Sequence, residues 1–160
     1  MMPEHTYYRE PFVRTPEELL DKKLELAQIT QEDLIIDLGC GDGYVMIAAC
    51  QRYGCRAIGY EIDPEIVEMA TKAVEESGLS DRIEIRQKDF SDHNFSEGTV
   101  YLLYLTRNEL NKFSLPLEIH APKGTRIVTH DFDMPAWEAK ETVEFPLISG
   151  DTKFIYLFEK

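Results

Sequence analysis

Ile35-Ile36-Asp37-Leu38-Gly39-Cys40-Gly41-Asp42-Gly43-Tyr44 is an apolar run that ends in an acid and continues into three glycines at alternate positions. Such a run reads as a buried strand opening into a glycine-lined turn, with a helix from Tyr44 onward. That arrangement places a ligand at a helix N-terminus, where backbone N–H groups lack intrahelical partners. A second apolar run, Ala57-Ile58-Gly59-Tyr60, leads to Glu61, 22 residues after Gly39. That is close to the spacing of about 20 that sets an acid over a bound ribose.

Working outward, 160 residues with 43% hydrophobic content suffice for one sizeable core, so residues 1–160 are expected to form a single domain with 1–14 as an irregular arm. No run approaches the roughly 18 apolar residues that span a bilayer, and residues 1–16 lack a signal-peptide core, so the expected location is cytoplasmic. Cys40, Cys50 and Cys55 form neither an even disulfide framework nor a CxxC metal pair, and no metal site is expected. Thirty acids against 17 bases give a net charge of −13. Such a field disfavours a nucleic-acid substrate and favours a cationic partner such as a lysine-rich protein surface, although acidity also serves plain solubility.

Toward the N-terminus, Thr15-Pro16-Glu17-Glu18 reads as a capping box with Thr15 as N-cap, and Leu20, Leu24 and Ala27 continue at helical spacing. Leu34–Leu38 is the first strand, the segment from Tyr44 to Arg52 a helix, and Ala57–Ile62 the second strand. Asp63-Pro64 caps a further helix that ends at Ser77-Gly78. Arg82–Lys88 and Thr99–Leu105 are the third and fourth strands, and Thr106 to Glu109 is a second capping box whose helix is expected to break at Pro116. Thr125–Thr129 is a fifth strand. Glu141–Leu147 and Lys153–Phe158 follow with no intervening helix and must pair as an antiparallel hairpin. The expected fold class is α/β: a doubly wound, mostly parallel seven-stranded sheet, Rossmann-like, with a C-terminal antiparallel hairpin.

In such a sheet ligands sit beyond the carboxyl ends of the strands. The residues delivered there are Gly39–Gly43, Glu61–Asp63, Asp89-Phe90, Tyr104–Thr106 and His130–Asp133. A dinucleotide fingerprint needs a third small residue where Tyr44 stands. The spacing is instead GxGxG, in the order DLGCGDG. This resembles motif I of the class I S-adenosylmethionine-dependent methyltransferases, whose seven-stranded sheet ends in an antiparallel hairpin.

The resemblance implies S-adenosyl-L-methionine as cofactor, bound by Thr15, Asp37, Gly39, Cys40, Gly41, Gly43, Glu61, Ile62, Asp89, Phe90 and Leu105. Glycine would let backbone approach an uncharged ligand, and the helix N-terminus would favour the methionine carboxylate. Glu61 would accept from both ribose hydroxyls, Ile62 and Phe90 would sandwich the adenine, and Asp89 would accept from its amino group.

Phe12-Val13-Arg14-Thr15-Pro16, the strand YLLYLT and GTRIVTHDFDMPAW narrow the resemblance. They are similar to the small archaeal broad-specificity protein lysine methyltransferases and the mitochondrial family that modifies ATP synthase c-subunit and the adenine nucleotide translocase. Phe12, Arg14 and Tyr44 stand where that family usually has Tyr, Pro and Arg, and Tyr7 and Tyr8 are the candidates to compensate for the missing hydroxyl. Absence of an NPPY-type motif after the fourth strand weighs against methylation of adenine or glutamine.

The resemblance implies methyl transfer to lysine amines of proteins, a class that includes the protein itself, with no nucleic acid or membrane partner. Phe12, Tyr104 and Trp137 would form the lysine channel, and His130, Asp131 or Asp133 would attract the ammonium or relay its proton. Competing readings are a small-molecule or RNA methyltransferase on the same fold, a non-catalytic cofactor-binding protein, and more distantly a nicotinamide dehydrogenase.

Overall fold

The computed structural model describes residues 15–160, so Phe12, Arg14, Tyr7, Tyr8 and the expected arm lie outside the described residues. The elements run α1 (Glu17–Ala27), β1 (Leu34–Leu38), α2 (Tyr44–Tyr53), β2 (Arg56–Glu61), α3 (Pro64–Glu76), β3 (Ile83–Gln87), β4 (Val100–Leu103), α4 (Arg107–His120), β5 (Arg126–His130), β6 (Glu141–Pro146) and β7 (Thr152–Glu159). The strands form one sheet in the order β3-β2-β1-β4-β5-β7-β6. The first five are parallel, and β7 inserts antiparallel between β5 and β6. Strand order reverses at β1, which lies between β2 and β4, so the crevice for a ligand opens beyond their carboxyl ends.

Alternate strand residues serve opposite faces. Ile35, Ala57, Val100, Leu102 and Val128 meet α1, α2 and α3 through Leu20, Leu24, Met46, Ala49 and Val74. Ile36, Leu38, Tyr101, Leu103 and Ile127 meet α4 through Leu110, Phe113 and Leu117, together with Phe95, Met134 and Trp137 from two loops. The second face carries a buried polar chain. His93 Nδ1 lies 3.0 Å from the Tyr60 hydroxyl and its Nε2 lies 2.7 Å from that of Tyr101, which donates to Glu97 O at 3.0 Å.

Two local expectations are corrected. Pro16 rather than Thr15 is the N-cap of α1, and no side-chain cap bond forms; Thr15 is buried one residue earlier and borders a cavity. Helix α4 also runs unbroken through Pro116. Leu110, Phe113 and Leu117 on its inner face are buried on both sides of the proline, and that packing outweighs the single helical hydrogen bond that proline cannot make. The capping box at Thr106 and Glu109 forms as read, as does the Asp63 cap of α3, whose Oδ1 accepts from Glu65 N at 3.0 Å.

Gly59 sets how closely the layers approach. A Cβ there would lie 2.5 Å from Met46 Cε and 2.7 Å from Cys40 Sγ, well inside contact distance. Gly59→Ala is therefore expected to cost about 1–3 kcal/mol in urea unfolding; an unchanged midpoint would show that Met46 yields without strain.

Candidate functional site

Beyond Leu38 the chain turns through Gly39, Gly41 and Gly43, with φ of 76°, 55° and 80°. Side chains rarely adopt these left-handed values, which is why glycine recurs here. The N–H groups of Gly39 and Cys40 both donate to Tyr60 O, at 2.8 and 2.9 Å, and this pins the turn to the end of β2. The next residue is Glu61. Its Oε2 accepts from Gly41 N at 3.3 Å and its Oε1 from Asp63 N at 3.2 Å. Two backbone donors thus fix the carboxylate while each oxygen keeps a further lone pair for a ligand.

A cavity of about 1110 Å³ opens over these strand ends. It collects most of the residues singled out in sequence: Thr15, Asp37, Gly39, Cys40, Glu61, Ile62, Asp89, Phe90, Tyr104, Leu105, His130 and Asp131 all line it. Ile62 is 58% exposed, an apolar side chain left open beside the cavity, while Phe90 is half-buried and packs edge-on against Phe113. Gly41 and Gly43 shape the turn without lining the cavity. Asp133 lies 3.9 Å from Arg107 and also stays outside it.

Trp137 is corrected more sharply. Its Nε1 donates to Ser114 O at 3.1 Å, and its ring packs edge-on against Phe158 away from the cavity, so it anchors the 134–139 loop to α4 and β7. The N-terminus of α2 is likewise engaged by the chain's own acid, since Asp42 Oδ1 accepts from Tyr44 N at 3.1 Å.

Lys23 is the site residue that sequence reading missed. It falls at a helical position beside Leu20 and Leu24 and is 1% exposed, yet it reaches the cavity floor. Its Nζ donates to Leu103 O at 2.9 Å and lies 3.0 Å from His130 Nδ1. Burial pulls its pKa down to about 8, against the pull of Asp37 and Asp131. Burial raises that of Asp37 to about 7, opposed by Lys23 and reinforced by Glu61 and Asp42. A lysine embedded in an otherwise apolar helix face was the available signal.

The His130 ring lies under Tyr104, with centroids 3.7 Å apart. Burial, then Lys23, then Lys153 hold its pKa far below the usual imidazole range. Its surroundings therefore favour the neutral ring. Asp131 adopts a left-handed φ of 70° and accepts at Oδ2 from Tyr104 Oη and Lys153 Nζ, each at 3.1 Å. Burial, then Asp131, pushes the Tyr104 phenol up to about 12.

The family model described as the ANTKMT methyltransferase domain matches residues 37–141. A protein-lysine N-methyltransferase of Saccharolobus islandicus is 35% identical over 135 residues, covering 84% of each chain. The chain belongs to this methyltransferase family. The adenine nucleotide translocase lysine N-methyltransferase of Mus musculus is 29% identical over 104 residues, which span 65% of this chain and 45% of that one. A crystal structure described as an RNA methyltransferase from Salinibacter ruber, in complex with S-adenosyl-L-homocysteine, superposes with a TM-score of 0.83. It is 38% identical, with 92% of this chain and 95% of that one covered.

The family's cofactor is S-adenosyl-L-methionine, and the residues present fit it. The turn from Gly39 to Gly43 carries no basic side chain for a phosphate, the Glu61 carboxylate suits a diol, and Ile62 with Phe90 offers apolar surface to a purine.

Glu61→Ala is expected to weaken S-adenosylhomocysteine binding about 100-fold, or ~2.7 kcal/mol, in calorimetric titration; an unchanged affinity would remove the diol assignment. For His130, the unfolded chain gains a proton near pH 6.5 that the folded ring does not accept. The stability tied to this group is thus full above that pH and lost progressively as pH falls below it toward the folded value. Its ring-nitrogen shifts should remain those of a neutral imidazole protonated at Nε2 in NMR spectra from about pH 8 to pH 5, and imidazolium shifts inside that window would overturn the neutral assignment.

Proposed function

We propose that the protein transfers a methyl group from S-adenosylmethionine to lysine side-chain amines of proteins. The observation that carries this reading is the charge of the cavity, where carboxylate side chains outnumber lysines seven to two among the lining residues. Such a lining concentrates a cationic side chain and repels a phosphate backbone. The Saccharolobus relative, named as a protein-lysine N-methyltransferase, supports the same acceptor.

The bound cofactor supplies a methyl group on a sulfonium, activated for in-line displacement. The protein's own residues align the acceptor and exclude water. Tyr104 and Asp131, at the ends of β4 and β5, offer an aromatic face and a half-buried carboxylate to an entering ammonium. A lysine with its ordinary pKa near 10.4 must lose a proton before it can attack, and with His130 held neutral, Asp131 is the half-buried carboxylate of the cavity that receives it. Phe12 remains part of this proposal as an aromatic wall of the channel, and Asp89 and Leu105 as contacts of the adenosine. Lysines of the protein itself are within the class of acceptors this reading covers. No helix among the described residues is long and apolar enough to cross a membrane.

The likeness to the Salinibacter protein, which is described as an RNA methyltransferase, favours RNA as a second reading. Incubation with cofactor labelled on the methyl group and a cell lysate decides between them. The expected outcome is label on methyl-lysine in protein, resistant to nuclease and reduced by high salt. Label that disappears with nuclease, or appears only in a metabolite fraction, would replace lysine as the acceptor.

A further inference from the structure

Lys23 and His130 form a donor pair that nothing in the glycine turn duplicates. Lys23 reaches from α1 to the cavity floor and donates to Leu103 O at 2.9 Å and toward His130 Nδ1 at 3.0 Å. A lysine has no acceptor when charged, so Nδ1 accepts and the proton of the neutral ring sits on Nε2. Nε2 is buried and has no hydrogen-bond partner among the described residues. Buried donors ordinarily find acceptors, so this one points to a ligand.

The groups facing the pair are Asp37 from β1, Tyr104 after β4, Asp131 after β5 and Lys153 from β7. Tyr104 and Lys153 both direct their donors at Asp131. The α2 N-terminus, the other place where an anion would settle, holds the Asp42 carboxylate. Elsewhere the lining is dominated by acids. The cofactor's methionine tail carries a carboxylate, which needs donors and positive charge in a cavity that has few of either. A substrate amine offers the wrong partner, since it is itself a donor.

We propose that Lys23 and His130 bind the carboxylate of the cofactor's methionine tail, with Lys23 also fixing the imidazole tautomer that presents Nε2–H. This inference rests on the cofactor and is independent of whether protein or RNA receives the methyl group.

Calorimetric titration with S-adenosylhomocysteine and with its decarboxylated analogue, which keeps the amine, tests it. The unaltered protein should favour S-adenosylhomocysteine by about tenfold or more. Lys23→Met and His130→Phe, each confirmed as folded by circular dichroism, should weaken that ligand by about tenfold and leave the analogue within about twofold. His130→Gln, which keeps an amide N–H near the place of Nε2, should retain most of the affinity. Equal loss of both ligands, or loss of neither, would overturn the assignment while leaving the cofactor in place. Failure of the unaltered protein to bind either ligand would overturn the assignment and the cofactor reading together.

Discussion

The paired hydrogen bonds from Gly39 and Cys40 to the carbonyl of Tyr60 hold the rest of the site together. They fasten the turn after β1 to the end of β2, so that Glu61 arrives beside Gly41 with its carboxylate already oriented. The contact depends on Gly59, since any side chain there would meet Met46 and Cys40. A missing Cβ in one strand therefore decides where a carboxylate stands in the next turn. Preorganisation of this kind lowers the ordering cost when a ligand binds.

The second constraint is electrostatic. Lys23, Asp37 and His130 are all nearly inaccessible to solvent on the cavity floor. Burial drives the lysine and the aspartate toward neutrality while their mutual attraction opposes it. Removing one member of such a set leaves a charge without compensation, which costs far more than the pair contributes. The same lysine closes one nitrogen of His130, and a ring clamped in this way acts as a fixed donor rather than as a base. Beyond the ring, Tyr104 and Lys153 both donate to the Asp131 carboxylate and steady it.

The succession of strands and the glycine turn were legible from short-range pattern. The unalternating run at Leu34–Leu38, the GxGxG spacing, the Asp63-Pro64 cap and the strand pair without a helix between them are local signals, and each led to the element observed. The misses share one character. Thr15 resembled a cap and Pro116 resembled a break because both were weighed against helix chemistry alone, whereas burial beside the cavity and packing on both sides of the proline governed them. Trp137 sat in the stretch that carried the narrower resemblance, yet its indole serves the core under α4.

The sequence by itself determined the parallel sheet, the glycine turn after the first strand and the acid at the end of the second, because glycine conformation, strand patterning and capping act within a few residues. Only the tertiary structure decided what His130 and Lys23 do. They lie 107 positions apart, and their contact exists because α1 packs against β5. A tautomer, a shifted pKa and an unmet donor are properties of a packed environment, and residue type alone does not carry them.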